Sequence, residues 1–392
     1  LDPHSSLLTA AQWQRFRDDG ETERSEGVGV MLTSRGGAII VGDNVVGGPT
    51  FEAGMRVGDA LIEVDGKETV GWSVDKAEAA LRGAAGSRVT LRLRRGGRTR
   101  LVDVQIRRRA IVVDNVSGEP LAGHPTIGVL HLRGFSLGSA RALRRALDGL
   151  RKKRPGRSLA GIVLDMRDNG GGVLDEGVRV ADLFLGDGPI VRVRRSGRAE
   201  KIRKARRNRG DYDGPLVVLV NDGCASACEV VASALQERDR ALVLGGRTYG
   251  KASVQKLFKP FVGHYYVKLT IARYFSPSGR SVQAVGLEPD VVVPRTPGAV
   301  VASGVHEADL DGHLAPWGDA PSHHNALLDE TMADCVSREG RAAAEVAADP
   351  TPRSRPDFQL LSAADWLRCL GQRRSGRAAN VGRGAPAQAS AR

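Results

Sequence analysis

The stretch "VLVNDGCASACEVVASALQ", residues 218 to 236, passes through three textures in quick succession. An unbroken apolar run ends in Asn-Asp-Gly, a cluster of very small residues follows, and apolar residues then recur at helical spacing. A continuous apolar run closed by a turn reads as a strand covered on both faces, and its step into a helix is the repeating unit of a sheet packed between helices. Ser226 stands between two alanines and two cysteines at the mouth of that helix. Small residues there serve close packing, or they clear the surroundings of a nucleophile. Unpaired N–H groups and the helix dipole favour a developing negative charge at this point, and the Ala227 amide would face it.

The same texture extends outward. "TIGVLHL" (126–132), "LAGIVLDM" (159–166), "PLVVLV" (215–220), "ALVLGG" (241–246) and "YYVKLTIARYF" (265–275) read as strands. "LGSARALRRALDGLRKK" (137–153) and "VLDEGVRVADLFL" (173–185) read as helices. Residues 109–296 are therefore expected to form one α/β domain.

Residues 24–108 differ. "GVGVML", "GAIIVGDNV" and "DALIEVDGK" are short strands punctuated by glycine and an Asp-Gly turn. "SVDKAEAALRG" has a Ser N-cap and a closing Gly, and "SRVTLRLRRGG" and "RLVDVQIRR" alternate as half-exposed strands should. Beyond residue 296 the pattern decays: short helices are expected within 297–370 and a disordered tail over 371–392.

At 392 residues with 41% hydrophobic content, the chain can build two domains with real cores, and no run approaches a bilayer span. The opening "LDPHSSLLTAAQWQRF" shows neither an initiating Met nor a signal pattern, so a fragment or mature form is expected, with any targeting segment out of view. The net charge of +13 comes from scattered arginine. Its densest run, "RVRRSGRAEKIRKARRNRG" (192–210), lacks interleaved aromatics and reads as a solvated loop; no nucleic-acid partner is expected. An anionic membrane surface stays open as a peripheral partner.

The four cysteines form no CxxC pair and have no histidine at zinc spacing, so neither a metal nor another cofactor is expected. Cys224 and Cys228 read as small buried residues, and Cys335 and Cys369 as a pair if the compartment is oxidising.

"DMRDNGGG" (165–172) offers exposed amides after a strand, for a phosphate or an oxyanion, but lacks the P-loop spacing and lysine. A serine nucleophile needs a base. His264 sits in "VGHYY" without supporting context, whereas "GGRTYGKASVQ" (245–255) offers Lys251, which could serve only if desolvation kept it neutral.

Residues 220 to 255 together resemble the core of the C-terminal processing peptidases, or tail-specific proteases. In that family the nucleophile lies in a "SASAS"-like cluster and a lysine 25 positions later is the base; Ser226 and Lys251 keep that separation. A glutamine four positions on orients the lysine in many members, and Gln255 occupies the place. "DMRDNGGG" matches the family's "DLRxNxGG", which implies an oxyanion hole from Gly172 and the Ala227 amide. The opening "LDPHSSLL" and "LTIARYFSPSGRSVQAVGLEPDVVV" are also family-like.

"GGPTFEAGMRVGDALIEVDGKET" resembles a PDZ domain, implying a peptide groove at Gly27, Val28, Gly29 and Val30 beside the "SVDKAEAAL" helix. The departures are cysteines in place of the outer serines, Ala252 where glycine usually follows the lysine, and Glu237 where Asp is common.

The resemblance implies an α/β core of the ClpP/crotonase type, sheet layers with helices, carrying an inserted β-rich PDZ domain at 24–108. Residues 1–23 would be an N-terminal part of the peptidase region. It implies a serine endopeptidase acting on protein substrates with free apolar C-termini, a periplasmic or cell-envelope location, and an envelope adaptor as a regulatory partner. A PDZ-bearing adaptor without activity is the competing reading; retention of Ser226, Lys251 and Gln255 argues against it.

Overall fold

The computed structural model describes residues 2–9, 24–35, 37–44, 48–56, 58–95, 100–112, 115–153, 158–258, 265–299, 304–317, 323, 325–339 and 357–381. The chain divides into two compact units, one of residues 17–114 and one of residues 1–16 with 115–392. The larger unit opens with β1 (Ser6–Thr9).

The smaller unit holds β2 (Arg24–Gly27), β3 (Val30–Arg35), β4 (Ala38–Asn44), α1 (Pro49–Glu52), β5 (Ala60–Val64), β6 (Lys67–Glu68), α2 (Val74–Leu81), β7 (Arg88–Arg95), β8 (Arg100–Arg107) and β9 (Arg109–Val112). Its sheet runs β3-β4-β5-β7-β8, with β6 on β5 and a separate β2-β9 ribbon. The alternation in β7 buries Val89, Leu91 and Leu93 and leaves Arg88, Thr90 and Arg94 exposed, as period-two patterning requires. Ser73 caps α2 by accepting from the Lys76 amide at 3.2 Å.

The larger unit continues with β10 (Val116–Leu121), β11 (His124–Leu132), α3 (Ser139–Lys152), β12 (Gly161–Asp165), α4 (Leu174–Asp182), β13 (Pro189–Arg194), β14 (Lys201–Lys204), β15 (Leu216–Val220), α5 (Ala227–Glu237), β16 (Leu242–Gly245), β17 (Ser253–Phe258), β18 (Tyr265–Phe275), β19 (Val291–Val292), α6 (Glu330–Glu339) and α7 (Phe358–Val381).

Its main sheet has the order β10-β11-β12-β15-β16-β19, parallel from β11 onward. Successive residues of its strands enter different cores. Leu130, Ile162, Leu164, Val218 and Val243 pack with α3, α4 and α5. Val129, Val163, Val217, Leu219 and Leu244 pack with α7. Both faces are therefore dry, which is why these strands read as unbroken apolar runs.

Two expectations are corrected here. The 297–370 region does not end in short helices alone, because α7 continues to Val381, into the segment expected to be disordered; residues 382–392 lie outside the described set. Burial accounts for the helix: Ala363, Ala364, Leu367 and Leu370 form the floor of the second core. Cys369 is also bonded to Cys335 of α6. The basic run at 192–210 is not simply a loop either, since it supplies parts of β13 and β14, which pair antiparallel.

The second sheet is antiparallel, β1-β18-β13-β14 with β17 also on β18. The long strand β18 brings Gln255 of β17 opposite Thr270 and Ser6 of β1 opposite Lys268. The N-terminal strand of this unit thus meets the segment that follows Lys251 on one strand.

Candidate active site

Strand β15 delivers the chain to Asn221, and the turn from there to α5 is bound to the "DNGG" loop after β12. Asn221 accepts from the Asp168 amide at 2.8 Å and donates to its carboxylate at 2.7 Å. The Ala225 amide donates to Asn169 O at 3.0 Å, while Asn169 donates to Leu132 O at 2.8 Å and accepts from the Gly171 amide at 2.9 Å. Asn169 is fully buried, so its three bonds fix the glycine turn against the serine turn.

Ser226 takes φ 57° and ψ −117°, a conformation that costs a non-glycine residue about 1–3 kcal/mol and projects its side chain from a sharp strand-to-helix turn. Cys224 and Cys228 are not separate buried thiols: they form a disulfide across this turn, with Ser226 at its centre. That corrects the sequence expectation. The i, i+4 spacing allows the bond because Cys228 lies in the first turn of α5 and the chain folds back sharply at Ser226.

Gly171 and Gly172 have φ of 98° and 134°. A Cβ on Gly171 would lie 2.8 Å from Ser226 Cβ and 3.1 Å from the Ala227 amide nitrogen, so only glycine lets this backbone reach the serine. Gly172 bridges Phe135, whose carbonyl accepts from the Val173 amide at 2.7 Å. The Gly172 and Ala227 amides therefore belong to two turns in van der Waals contact beside Ser226.

Glu229, in the first turn of α5 and fully buried, ties the serine to the lysine segment. One oxygen, Oε2, accepts from the Ser226 amide at 2.8 Å and the Lys251 amide at 2.9 Å. The other, Oε1, accepts from the Gly250 amide at 2.7 Å and the Thr248 hydroxyl at 2.5 Å. Burial pushes the Glu229 carboxyl up to about 7, against the pull of these four donors.

Burial also moves Lys251, downward from the ordinary lysine value. Glu307, Glu229 and Asp2 oppose that shift, and Lys268 adds to it. Its Nζ donates to Gln255 Oε1 at 3.0 Å and to Ser253 O at 3.1 Å. The Tyr274 hydroxyl donates to Lys251 O and also meets the Ser226 side chain. Among the described residues Lys251 Nζ bonds Gln255 and Ser253 rather than Ser226 Oγ, and the shared Glu229 oxygen and Tyr274 are what join the two.

His264 lies outside the described residues. Below the site, burial would raise Asp165, but the Arg167 guanidinium, at 2.7 and 2.8 Å, and His131, at 3.2 Å, hold its carboxyl well below the ordinary value. Arg167 continues to Gln359 of α7 at 2.8 Å, fastening the β12 turn to the helix beneath the sheet.

Residues 126–293 match Peptidase family S41, and residues 40–95 match a PDZ domain. The chain is 36% identical over 322 residues to a carboxy-terminal-processing protease of Bartonella bacilliformis, covering 80% of this chain and 72% of that one. It is 33% identical over 291 residues to a carboxy-terminal processing protease of Bacillus subtilis, covering 74% of this chain and 60% of the relative. A solved photosystem II D1 C-terminal processing protease aligns with TM-score 0.55 at 31% identity, over 76% of this chain and 80% of the other.

The chain belongs to peptidase family S41. It is thus a serine-type peptidase by family, with an α/β core and a PDZ domain. In the PDZ domain, Gly27 pairs with Arg109 in the β2-β9 ribbon, and the strand beside α2 is β3, which begins only at Val30. The Gly27–Val30 segment therefore enters this strand rather than forming it. Val28 O accepts from the Thr50 amide at 3.0 Å and Gly29 O from its hydroxyl at 2.8 Å.

Within the S41 domain, Glu229, Tyr274, Thr270, Asp2 and Glu307 escaped the sequence reading. A glutamate three residues after a helix-capping serine signals a capping box, and that signal was present for Glu229. Tyr274, Thr270 and Asp2 become neighbours through the pairing of β1 and β17 with β18, and Glu307 through its bonds to Tyr249 O, Gln283 and His4.

Proposed function

We propose that this S41 peptidase is an endopeptidase that takes unstructured C-termini of proteins onto its PDZ domain, at the Gly27–Val30 entry to β3 beside α2, and cleaves peptide bonds at Ser226. Lys251 is the general base, Gln255 orients it, and the Gly172 and Ala227 amides hold the oxyanion. The observation that carries this reading is the environment of Lys251: half-buried, shifted below the ordinary lysine value by that desolvation, and bound through its amide to the same carboxylate oxygen as Ser226.

A neutral amine has two N–H bonds and one lone pair. Gln255 Oε1 and Ser253 O take the two hydrogens, which leaves the lone pair as the position for the Ser226 proton. The serine oxygen attacks the scissile carbonyl as Lys251 takes that proton, and the negative charge forms on the carbonyl oxygen between the two turns. The ammonium then returns the proton to the leaving amine, and water repeats the sequence on the acyl-enzyme.

Two disulfides support a periplasmic or cell-envelope location, where they persist. An envelope adaptor remains an expectation of the family resemblance, and a peripheral contact with an anionic membrane an expectation of the chain's basic charge.

The test is incubation of the chain, and of Ser226→Ala, with an unfolded protein bearing a free apolar C-terminus, followed by fragment sequencing and fluorophosphonate labelling. Fragments and one phosphonyl adduct on the native chain, both lost in Ser226→Ala, are expected. Cleavage that survives in Ser226→Ala overturns the assignment.

A further inference from the structure

Gln255 cannot orient a base by itself, because an amide can rotate and offer its NH2 in place of its oxygen. Something has to fix its polarity. The chain of bonds leading away from Lys251 runs in one direction only. Lys251 Nζ donates to Gln255 Oε1 at 3.0 Å, Gln255 Nε2 donates to Thr270 Oγ1 at 3.0 Å, and the Thr270 hydroxyl donates to Asp2 Oδ1 at 2.9 Å. Gln255 Nε2 also donates to Ser253 Oγ at 2.9 Å.

An amide and a hydroxyl each both donate and accept, so neither defines a direction. An ionised carboxylate only accepts. Asp2 therefore aims the Thr270 hydrogen away from Gln255, the freed lone pair of Thr270 takes the Gln255 NH2, and the Gln255 oxygen is left facing Lys251.

Asp2 is itself held in place. The Ser5 hydroxyl donates to its Oδ2 at 2.6 Å, the His4 amide to its Oδ1 at 3.1 Å, and Ser5 Oγ accepts from the Thr270 amide at 3.1 Å. Burial would raise Asp2, but these donors keep its carboxyl below the ordinary value, so it is ionised wherever the enzyme works.

A second arm leaves the same short segment. His4 Nε2 meets Glu307 at 2.8 Å, Gln283 Nε2 donates to Glu307 at 3.0 Å, and Gln283 Oε1 accepts the Ala252 amide at 2.9 Å. The "DPHS" segment (2–5) thus reaches both Lys251 and the next residue by separate routes.

We propose that Asp2 is a positioning residue for the base: it sets the direction of the Thr270–Gln255–Lys251 chain and supplies a negative charge behind the amine. The proposal rests on the reading of Lys251 as the base. The charged and titratable groups around that amine are Asp2, Glu229 and Glu307, which favour its protonation, and Lys268, which opposes it; Tyr274 bonds the lysine carbonyl.

The experiment measures kcat and KM from pH 5 to 10 on a peptide substrate for the full chain and for Asp2→Ala, Asp2→Asn and Lys251→Arg, with melting temperatures. Asp2→Ala removes both acceptor and charge: kcat should fall at least tenfold with KM within twofold. In Asp2→Asn the His4 amide, which can only donate, holds the side-chain oxygen at the position it shares with Thr270, so an acceptor is kept and most of that loss should be recovered. In both variants the acidic limb of kcat should move to lower pH, by roughly half a unit, because a charge that held a proton on Lys251 is gone.

An unmoved limb overturns the proposal, whether turnover is kept or is lost equally in both Asp2 variants along with melting temperature. Wild-type turnover in Lys251→Arg would instead remove the base assignment, whatever Asp2 does. An inactive Lys251→Arg beside an unchanged Asp2→Ala would refute the anchor alone.

Discussion

Replacing Gly172 by Ala tests the proposed oxyanion hole through the backbone, without touching a side chain proposed to react. The added Cβ would lie 2.2 Å from Phe135 O and 2.9 Å from Phe135 C, at φ 134°. Real contacts of this kind are about a full ångström longer, so one segment must move. Phe135 is tied on both sides, its amide to Gly171 O at 2.9 Å and its carbonyl to the Val173 amide at 2.7 Å.

Moving it puts those two bonds at risk, about 1 kcal/mol each, and the backbone strain adds roughly 1–3 kcal/mol. The sum, about 3–5 kcal/mol, is below the stability of a typical domain, so the fold should survive while residue 172 rotates. The loss of one preorganised donor should then lower kcat by ~10²–10³-fold with little change in KM. Steady-state kinetics on a chromogenic peptide, beside a melting curve, separates the two effects. Gly170→Ala is the control, since its Cβ meets nothing within 4 Å. A Gly172→Ala enzyme within threefold of wild-type kcat would refute the reasoning.

Activity should rise with pH along a limb whose apparent pKa lies below the ordinary ~10.4 of lysine, and Lys251→Arg should be inactive because arginine stays charged; a pH–kcat profile checks both. Burial raises the Glu229 carboxyl from its ordinary 4.5 to about 7, so it favours the folded state fully below 4.5 and loses that contribution as pH rises through 7. The fall is at most on the order of 3 kcal/mol, and chemical denaturation across that window should show a slope that Glu229→Gln lacks. Reduction of the Cys224–Cys228 bond should cost about 2 kcal/mol for so short a loop. Maleimide labelling of the denatured chain should find its thiols only after reductant, and free thiols without it would refute the pairing.

The α/β core was legible because both faces of its sheet are dry. Val217 and Val218 point to opposite cores, and that condition alone produces an unbroken apolar run. Ser226 and Lys251 were singled out by the family resemblance, which supplies their separation, and the structure ties the amides of both to one buried carboxylate oxygen of Glu229. Asp2, Thr270 and Glu307 were not legible, because each is an ordinary polar residue until the fold gathers them: Asp2 meets Thr270 of β18 from 268 positions away, and Glu307 is held by Gln283 and His4. The disulfide escaped for a local reason. Two cysteines four apart suit a helix or a loop equally, and only the left-handed turn at Ser226 brings their side chains together. The helical reach of α7 was hidden by composition: "GQRRSGRAAN" is poor in apolar residues, yet it follows a segment whose alanines and leucines are clamped under the sheet.

Glu229 poses a problem for the base it helps to place. A carboxylate beside Lys251 favours the ammonium, the form that cannot accept a proton. The same burial resolves the conflict, because desolvation acts with opposite sign on an acid and a base. It lowers Lys251 and raises Glu229 to about 7, so each group moves toward its uncharged form. Near neutrality Glu229 spends part of its time protonated. In that state it still accepts hydrogen bonds from the Ser226 and Lys251 amides, while its charge no longer holds a proton on the lysine. The two groups therefore titrate as a pair, and the acidic limb of the pH profile should be shallower for the native enzyme than for Glu229→Gln, where only one titration remains. Equal steepness in both would mean that Glu229 acts through geometry alone.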